Sequence, residues 1–259
     1  MIDLHSHILP GVDDGSPDME HSLALAQVAV DNGITHTLLT PHHMDGKYTN
    51  HKVDVIRKTQ LFQAELTRHN IPLTVFPCQE VHLTGDLIQA IDADDILFAD
   101  EGNHYLMLEF PHSHVPTYFM DDILPELEAR RIVPVIVHPE RNQGIQANPD
   151  LLYELVENGC LTQLTASSYL DIFGKHVTEL TQQIIDAGLG AVFSSDAHNL
   201  KGRNFRMQAA FDKLTQQNGL AKTQWMQANA KHIINGEEVT LTNFTKVGAK
   251  KKKKHFWFF

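Results

Sequence analysis

Cysteine is nearly absent, with Cys78 and Cys160 the only two in 259 residues and no CxxC spacing between them. That excludes a disulfide-built scaffold and a thiolate zinc site, and both thiols are expected to be buried as small hydrophobes. Long apolar runs are missing too, since no stretch approaches the roughly 20 residues that span a bilayer. The opening Met1-Ile2-Asp3-Leu4-His5 does not read as a charged-then-apolar leader, so a cytoplasmic protein is expected. Basic charge is scarce: 21 Lys and Arg stand against 32 Asp and Glu, a net −11. Five of those cations lie in the run Lys250 to Lys254, so the body is more acidic than the total. A nucleic-acid partner would require a basic face, and none is expected. An acidic body that binds cations fits the balance.

What the chain does have is a globular composition, 42% hydrophobic and 20% charged, and a length ordinary for one α/β barrel. Residues 1–245 are expected to form a single domain. Short apolar runs suited to buried parallel strands recur at Ile2–Leu4, Thr35–Leu39, Leu73–Phe76, Tyr105–Leu108, Val133–Val137, Leu161–Leu164 and Ala191–Phe193. Between the first two, Ser16 is placed to cap a helix with Pro17 at its first position and Met19, Leu23, Ala26 and Val30 on one face, ended by Gly33. Helical patterns also fit Val53–His69, Thr117–Arg131, Pro149–Asn158, Val177–Ala187 and Asn204–Asn218. The alternation predicts a parallel sheet. Periodicity does not separate an open sheet from a ring, but the polar motifs follow the ends of different strands, and a barrel of seven or eight strands gathers such ends on one face.

Histidine is in excess, at 17 residues, and much of it falls in short patterns with acids. His5-Ser6-His7 follows the first strand, where residues i and i+2 point the same way. Asp14 follows in Pro10-Gly11-Val12-Asp13-Asp14-Gly15, a tight loop able to fold an acid back over the site. His42 ends the second strand, Glu80 the third and Glu109 the fourth; a carboxylate directly after a buried strand is costly unless a cation compensates it. His138 closes the fifth strand, and Asp196 with His198 closes the seventh. His43, His82, His112 and His114 read as surface groups or as supports of ligands. Nine nitrogen and oxygen donors exceed what one four-coordinate metal uses, so two or three divalent ions are expected. Arg141 and Arg203 lie just beyond two of these motifs, and a guanidinium fork beside metals matches phosphate oxygens.

These motifs resemble those of the polymerase-and-histidinol-phosphatase (PHP) superfamily, and within it the bacterial manganese-dependent protein-tyrosine phosphatases of capsule and exopolysaccharide synthesis. The resemblance rests on His5 through Gly15, Thr40-Pro41-His42-His43, Glu80, Glu109, His138-Pro139-Glu140-Arg141 and Ser195-Asp196-Ala197-His198, and spans about residues 1 to 205. It implies a distorted TIM-like (β/α)7 barrel, a trinuclear site and hydrolysis of phosphotyrosine in the tail of a partner tyrosine autokinase. His5, His7, Glu80 and Asp196 would hold one metal, Glu80, Glu109 and His138 a second, and Asp14, His42 and His198 a third, with Arg141 and Arg203 on the phosphate. The donor set suits Mn²⁺ or Fe and leaves Zn²⁺ and Co²⁺ open. A metal lowers the pKa of bound water from about 15.7 to about 7, so activated hydroxide replaces a cysteine nucleophile, and neither cysteine stands in a Cys-x5-Arg loop. His43 is the candidate general acid. The alternatives are a phosphatase of a small ester such as histidinol phosphate, or a non-catalytic metal-binding regulator. Oligomeric state is not legible.

Residues 246–259 break the pattern, with Lys250 to Lys254 followed by His255-Phe256-Trp257-Phe258-Phe259. They read first as a flexible tail. Their second reading is peripheral membrane contact, at about 1 kcal/mol per Lys near anionic lipid.

Overall fold

The computed structural model describes residues 1–248. The run from Lys250, with its flexible-tail and membrane readings, lies outside the described residues. Nine strand segments follow in order: β1 (Ile2–Ser6), β2 (His36–Leu39), β3 (His42–His43), β4 (Thr74–Pro77), β5 (Glu80–His82), β6 (Tyr105–Glu109), β7 (Val133–Val137), β8 (Leu161–Thr165) and β9 (Val192–Ser194). All pairings are parallel, in the orders β1-β2-β4 and β3-β5-β6-β7-β8-β9.

The two sheets are parts of one ring. Thr40-Pro41 interrupts β2 and β3, and Cys78-Gln79 interrupts β4 and β5, yet Cys78 N–H donates to Leu39 at 3.0 Å and Glu80 N–H to Pro41 at 3.2 Å. Two pairs of segments therefore continue each other, and nine segments make seven strands. Closure between the last strand and the first comes from a parallel bridge Ser6–Ala197, from Asp196 N–H to His5 O at 2.9 Å and from His7 N–H to Ala197 O at 2.8 Å. Buried Asp3 fastens this seam, accepting from Ser195 N–H at 2.9 Å and Ser195 Oγ at 2.6 Å. Burial pushes the Asp3 carboxyl up to about 6 despite those hydrogen bonds. The seven-stranded barrel implied by the family resemblance is the observed one.

Among the described residues ten α-helices complete it: α1 (Met19–Asp31), α2 (Lys52–Arg68), α3 (Leu87–Asp92), α4 (Leu124–Ala129), α5 (Gln143–Ala147), α6 (Asp150–Glu157), α7 (Ala166–Tyr169), α8 (Lys175–Asp186), α9 (Met207–Asn218) and α10 (Leu220–Ile234). The first helix departs from expectation in both cap and face. Asp18, and not Ser16, is the N-cap, its carboxylate accepting from His21 N–H at 2.9 Å. Ser16 Oγ instead donates to the Asp18 carbonyl. The buried face is Ser22, Leu25, Ala26 and Ala29, while Met19, Leu23 and Val30 pack at its margin. Helix α10 was not expected, because its buried residues Thr223, Met226, Asn229, Ala230 and Ile233 are mostly small or polar and leave no apolar stripe. It packs against β1 and β9, and Asn229 Nδ2 donates to the Ala191 carbonyl at 3.0 Å. Among the described residues no helix is long and apolar enough to cross a membrane.

Candidate metal centre

The carboxyl ends of the strands bring all nine expected donors together. Glu80, fully buried at the start of β5, is the hub: Oε2 lies 3.0 Å from His42 Nδ1, 3.1 Å from His7 Nε2 and 3.3 Å from His5 Nε2, and Oε1 lies 2.7 Å from His138 Nε2. Asp196 Oδ1 is 3.6 Å from both His5 Nε2 and His7 Nε2. Glu109 is 3.8 Å from His42 and from His138. Asp14 reaches in from its loop, 3.3 Å from His42 Nε2 and 3.4 Å from His198 Nε2. Ligand atoms within 4.8 Å of one another form four groups: His7, Asp14, His42 and His198; His5, Glu80 and His138; His5, His7 and Asp196; His42, Glu80 and Glu109.

Local backbone geometry makes this convergence. Gly15 packs so tightly on the backbone of His7 that a Cβ there would stand 2.0 Å from the His7 carbonyl oxygen. Only glycine allows the loop to fold back and deliver Asp14. His138 and Asp196 hold left-handed φ values of 36° and 53°. Such backbone costs on the order of 1–3 kcal/mol per residue and collects at functional sites.

Tautomers show why the donor set fits a cation. His5 Nδ1 faces Gln163 Oε1 at 2.8 Å, and His7 Nδ1 faces Asp13 Oδ2 at 2.8 Å. Both partners accept, so in the neutral rings both Nδ1 atoms carry the hydrogen and both Nε2 atoms keep lone pairs for a cation. Those two Nε2 atoms are 3.0 Å apart, beside the Glu80 and Asp196 oxygens. His42 Nδ1, Glu80 Oε2 and His198 Nε2 are buried with no hydrogen-bond partner. Acceptors aimed at acceptors require positive charge between them.

Protons answer the same field. Burial alone would lower the His7 imidazole, but Asp13 and Glu80 overcome it and push it up to about 9. At His42, Glu80 and Asp14 overcome burial and push it up to about 12. The imidazoles of His198 and His42 beside it hold the Asp14 carboxyl far below its ordinary value. Burial, with His7 nearby, pulls His198 down to about 4.

Both arginines are drawn to Asp196. Arg141 Nη2 lies 2.5 Å from Oδ2, and Arg203 Nη2 donates to Oδ1 at 2.9 Å and Oδ2 at 2.8 Å. Burial would raise the Asp196 carboxyl, but these cations hold it well below the usual range. Nε of each arginine is buried without a partner.

His43 does not join the cluster. Alternation along β3 turns it to the opposite face from His42: its Nδ1 accepts from Asn50 N–H at 3.2 Å, and its Nε2 lies 3.9 Å from Asp95. Burial lowers its pKa. The candidate general acid is therefore corrected, because this ring has no path to a phosphoryl group at the cluster. His82, two residues beyond Glu80, holds Glu109 Oε2 at 3.0 Å as a support. Asp13 and Gln163 were missed as supports, although each left a signal: Asp13 pairs with Asp14 in the glycine-bounded loop, and Gln163 is a long polar residue in a strand that is buried throughout.

Residues 1–235 match the family described as "Capsular polysaccharide synthesis, CpsB/CapC". The chain is 37% identical over 239 residues to the tyrosine-protein phosphatase YwqE of Bacillus subtilis, covering 92% of this chain and 93% of that one. It is 32% identical over 244 residues to the putative tyrosine-protein phosphatase CapC of Staphylococcus aureus, with 93% of each chain covered. A solved structure from the work on YwqE of Bacillus subtilis and CpsB of Streptococcus pneumoniae, described as "unique metal-dependent tyrosine phosphatases", superposes with a TM-score of 0.91 at 36% identity. That match covers 96% of this chain and 100% of the other.

Proposed function

Because this chain belongs to the CpsB/CapC family of capsular polysaccharide synthesis, we propose that it is a metal-dependent tyrosine-protein phosphatase that hydrolyses phosphotyrosine on a partner tyrosine autokinase of that pathway. The observation that carries the reading is the opposed pair His5 and His7, whose Nε2 lone pairs meet 3.0 Å apart beside the Glu80 and Asp196 carboxylates. In the assignment, His5, His7, Glu80 and Asp196 take one divalent cation, Glu80, Glu109 and His138 a second, and Asp14, His42 and His198 a third, with Mn²⁺ the metal best matched to imidazole and carboxylate donors. Bound cations would supply Lewis acidity and an acidified water.

The chain's own groups do the rest. Glu80 sets the spacing between the donor groups, because four imidazoles meet its two oxygens. Arg141 and Arg203 project planar forks to the Asp196 edge of the cluster, where they meet the equatorial oxygens of a phosphoryl group and stabilise charge as it builds. Asp196 holds both forks in place before substrate arrives. Neither cysteine is a nucleophile: both are buried, and burial raises both thiols, Cys78 to about 12. A phenolate is a good leaving group, so departure proceeds without a dedicated acid.

The test uses metal-stripped protein reloaded separately with Mn²⁺, Fe²⁺, Co²⁺ and Zn²⁺, assayed in parallel on a phosphotyrosyl peptide and on histidinol phosphate. Turnover of the peptide well above that of the small ester is expected. Preference for histidinol phosphate, or turnover of neither with metal bound, would overturn the reading.

A further inference from the structure

Among the described residues five large hydrophobic side chains stand exposed, and two of them, Ile172 at 39% and Leu200 at 41%, lie in the segments that follow the sixth and seventh barrel strands. Leu200 stands two residues beyond His198 in the chain. Ile172 precedes Phe173, whose ring carries the Arg141 guanidinium 4.9 Å from its centroid. Arg141 in turn reaches Asp196, so Phe173 is one side chain removed from the cluster. Beyond the end of β3, Tyr48 lies nearly parallel to His42, with ring centroids 6.2 Å apart and planes 13° from parallel. Phe173 and Tyr48 are both half-buried.

Strand order puts them on opposite sides of the ring. Tyr48 follows the second barrel strand and Phe173 the sixth, which in a closed ring of seven lie across the mouth. Both are held before any ligand arrives. Asp45 Oδ1 accepts from Lys47 N–H and Tyr48 N–H, and Asn50 Nδ2 ties the same loop to the carbonyls of Val12 and His42. On the other side, Arg141 covers one face of Phe173, and Gly174, at φ 87°, turns the chain into α8 directly after it.

We propose that Phe173 and Tyr48 form an aryl clamp that selects phosphate esters of phenols over those of aliphatic alcohols, with Phe173 the principal specificity-determining residue. The inference rests on the phosphatase reading above. His5, His7 and Glu80 are buried at the floor of the site, so the phosphoryl group must descend to them while the alcohol part stays at the rim. A phenyl ring is rigid and long enough to bridge floor and rim, and there it meets aromatic faces. A serine ester places one methylene at that level and would have to draw its own backbone between the two loops. Walls already in position lose little freedom on binding, which favours a planar ligand further.

The test compares Mn²⁺-loaded wild type with Phe173→Leu, which keeps apolar cover for Arg141, and Phe173→Tyr, which keeps the ring. Two readouts are used: kcat and KM for a phosphotyrosyl peptide, and competitive inhibition by phenylphosphonate and methylphosphonate. In Phe173→Leu the phosphotyrosyl KM and the phenylphosphonate inhibition constant should each rise about tenfold, at the upper end of what one aromatic contact contributes, with methylphosphonate inhibition changed less than about twofold. Phe173→Tyr should restore both, and Tyr48→Leu should repeat the pattern more weakly. Equal weakening of both phosphonates would show Phe173 acting only through Arg141 and would overturn the clamp, as would unchanged phenylphosphonate inhibition. Wild type that hydrolyses the peptide while Phe173→Leu matches it removes the clamp alone; wild type that hydrolyses no phosphotyrosyl peptide removes the phosphatase reading as well.

Discussion

Replacing Asp13 by Asn changes one oxygen to an amide nitrogen and should damage the metal centre without touching a donor. Asp13 Oδ2 accepts from His7 Nδ1 at 2.8 Å and from His42 N–H at 3.2 Å, and Oδ1 accepts from Gly15 N–H at 2.9 Å. Three donors face a group that now has one acceptor and one donor end. If the amide nitrogen turns to His7, Nδ1 must become the acceptor and the ring proton moves to Nε2, the atom that points at Glu80 and Asp196. If it turns to Gly15, His7 keeps its tautomer but loses the carboxylate that makes it a strong base. Supports of this kind typically contribute 10–100-fold to metal affinity, about 1.4–2.7 kcal/mol, and the burial of this pair places Asp13→Asn toward the upper end. The assay is calorimetric Mn²⁺ titration of the stripped protein, with Asp45→Asn as control, since Asp45 accepts from Lys47 and Tyr48 in a similar loop but touches no cluster residue. A dissociation constant for Asp13→Asn within about threefold of wild type, under 1 kcal/mol, would refute the tautomer argument.

The double variant His5→Ala, His7→Ala should lose activity while circular dichroism shows the barrel intact, because these rings sit at its mouth; retained turnover would sink the metal assignment. EDTA should inactivate the enzyme and iodoacetamide should not, as both thiols are buried and raised in pKa; the opposite pattern would point to cysteine chemistry. Arg141→Ala and Arg203→Ala should each lower kcat/KM by roughly 10²–10³ with metal content confirmed by elemental analysis, and a change below threefold would free that arginine from a phosphate role. Stability of the metal-free protein should fall as pH rises: the His7 pKa stands above its unfolded value of 6.5, so its contribution is full below 6.5 and is lost as pH passes about 9. Thermal melts from pH 6 to 10 with and without Mn²⁺ check this, and a metal-free Tm that rises with pH would contradict it.

The parts of the barrel that were legible are those where one physical rule dominates. A strand buried on both faces must be apolar throughout, so Tyr105–Leu108 and Val133–Val137 are nearly their observed selves. Donors at strand ends were legible for the same reason, since Glu80 and Glu109 break apolar runs abruptly. Where two rules compete, sequence misleads. Ser16 and Asp18 are both good caps, and the choice falls to Asp18 because the Ser16 hydroxyl is already committed, donating to the Asp18 carbonyl and accepting from Ser22 Oγ. His43 and His82 each neighbour a cluster donor, but only residues an even number of places from an inward donor share its face. His82 is two from Glu80, and His43 is one from His42. Helix α10 shows the third kind of loss, a buried surface made of Thr223, Asn229 and Ala230 that carries no hydrophobic signal.

The seam between β9 and β1 has a consequence for how the protein is born. His5, His7, Asp14, His42 and Glu80 leave the ribosome early, whereas Asp196 and His198, which complete their groups, emerge only after the last strand that closes the ring. At the usual rate of synthesis that interval is roughly ten seconds. During it, several imidazoles and carboxylates are free to capture whatever cation is abundant, without the finished geometry to discriminate. A nascent chain halted before Ser195 has no Asp3 fastening and no closed barrel. The expected outcome is that expression in media of different Mn²⁺ and Zn²⁺ content yields protein of different metal content and activity from the same gene, which elemental analysis of the purified protein checks.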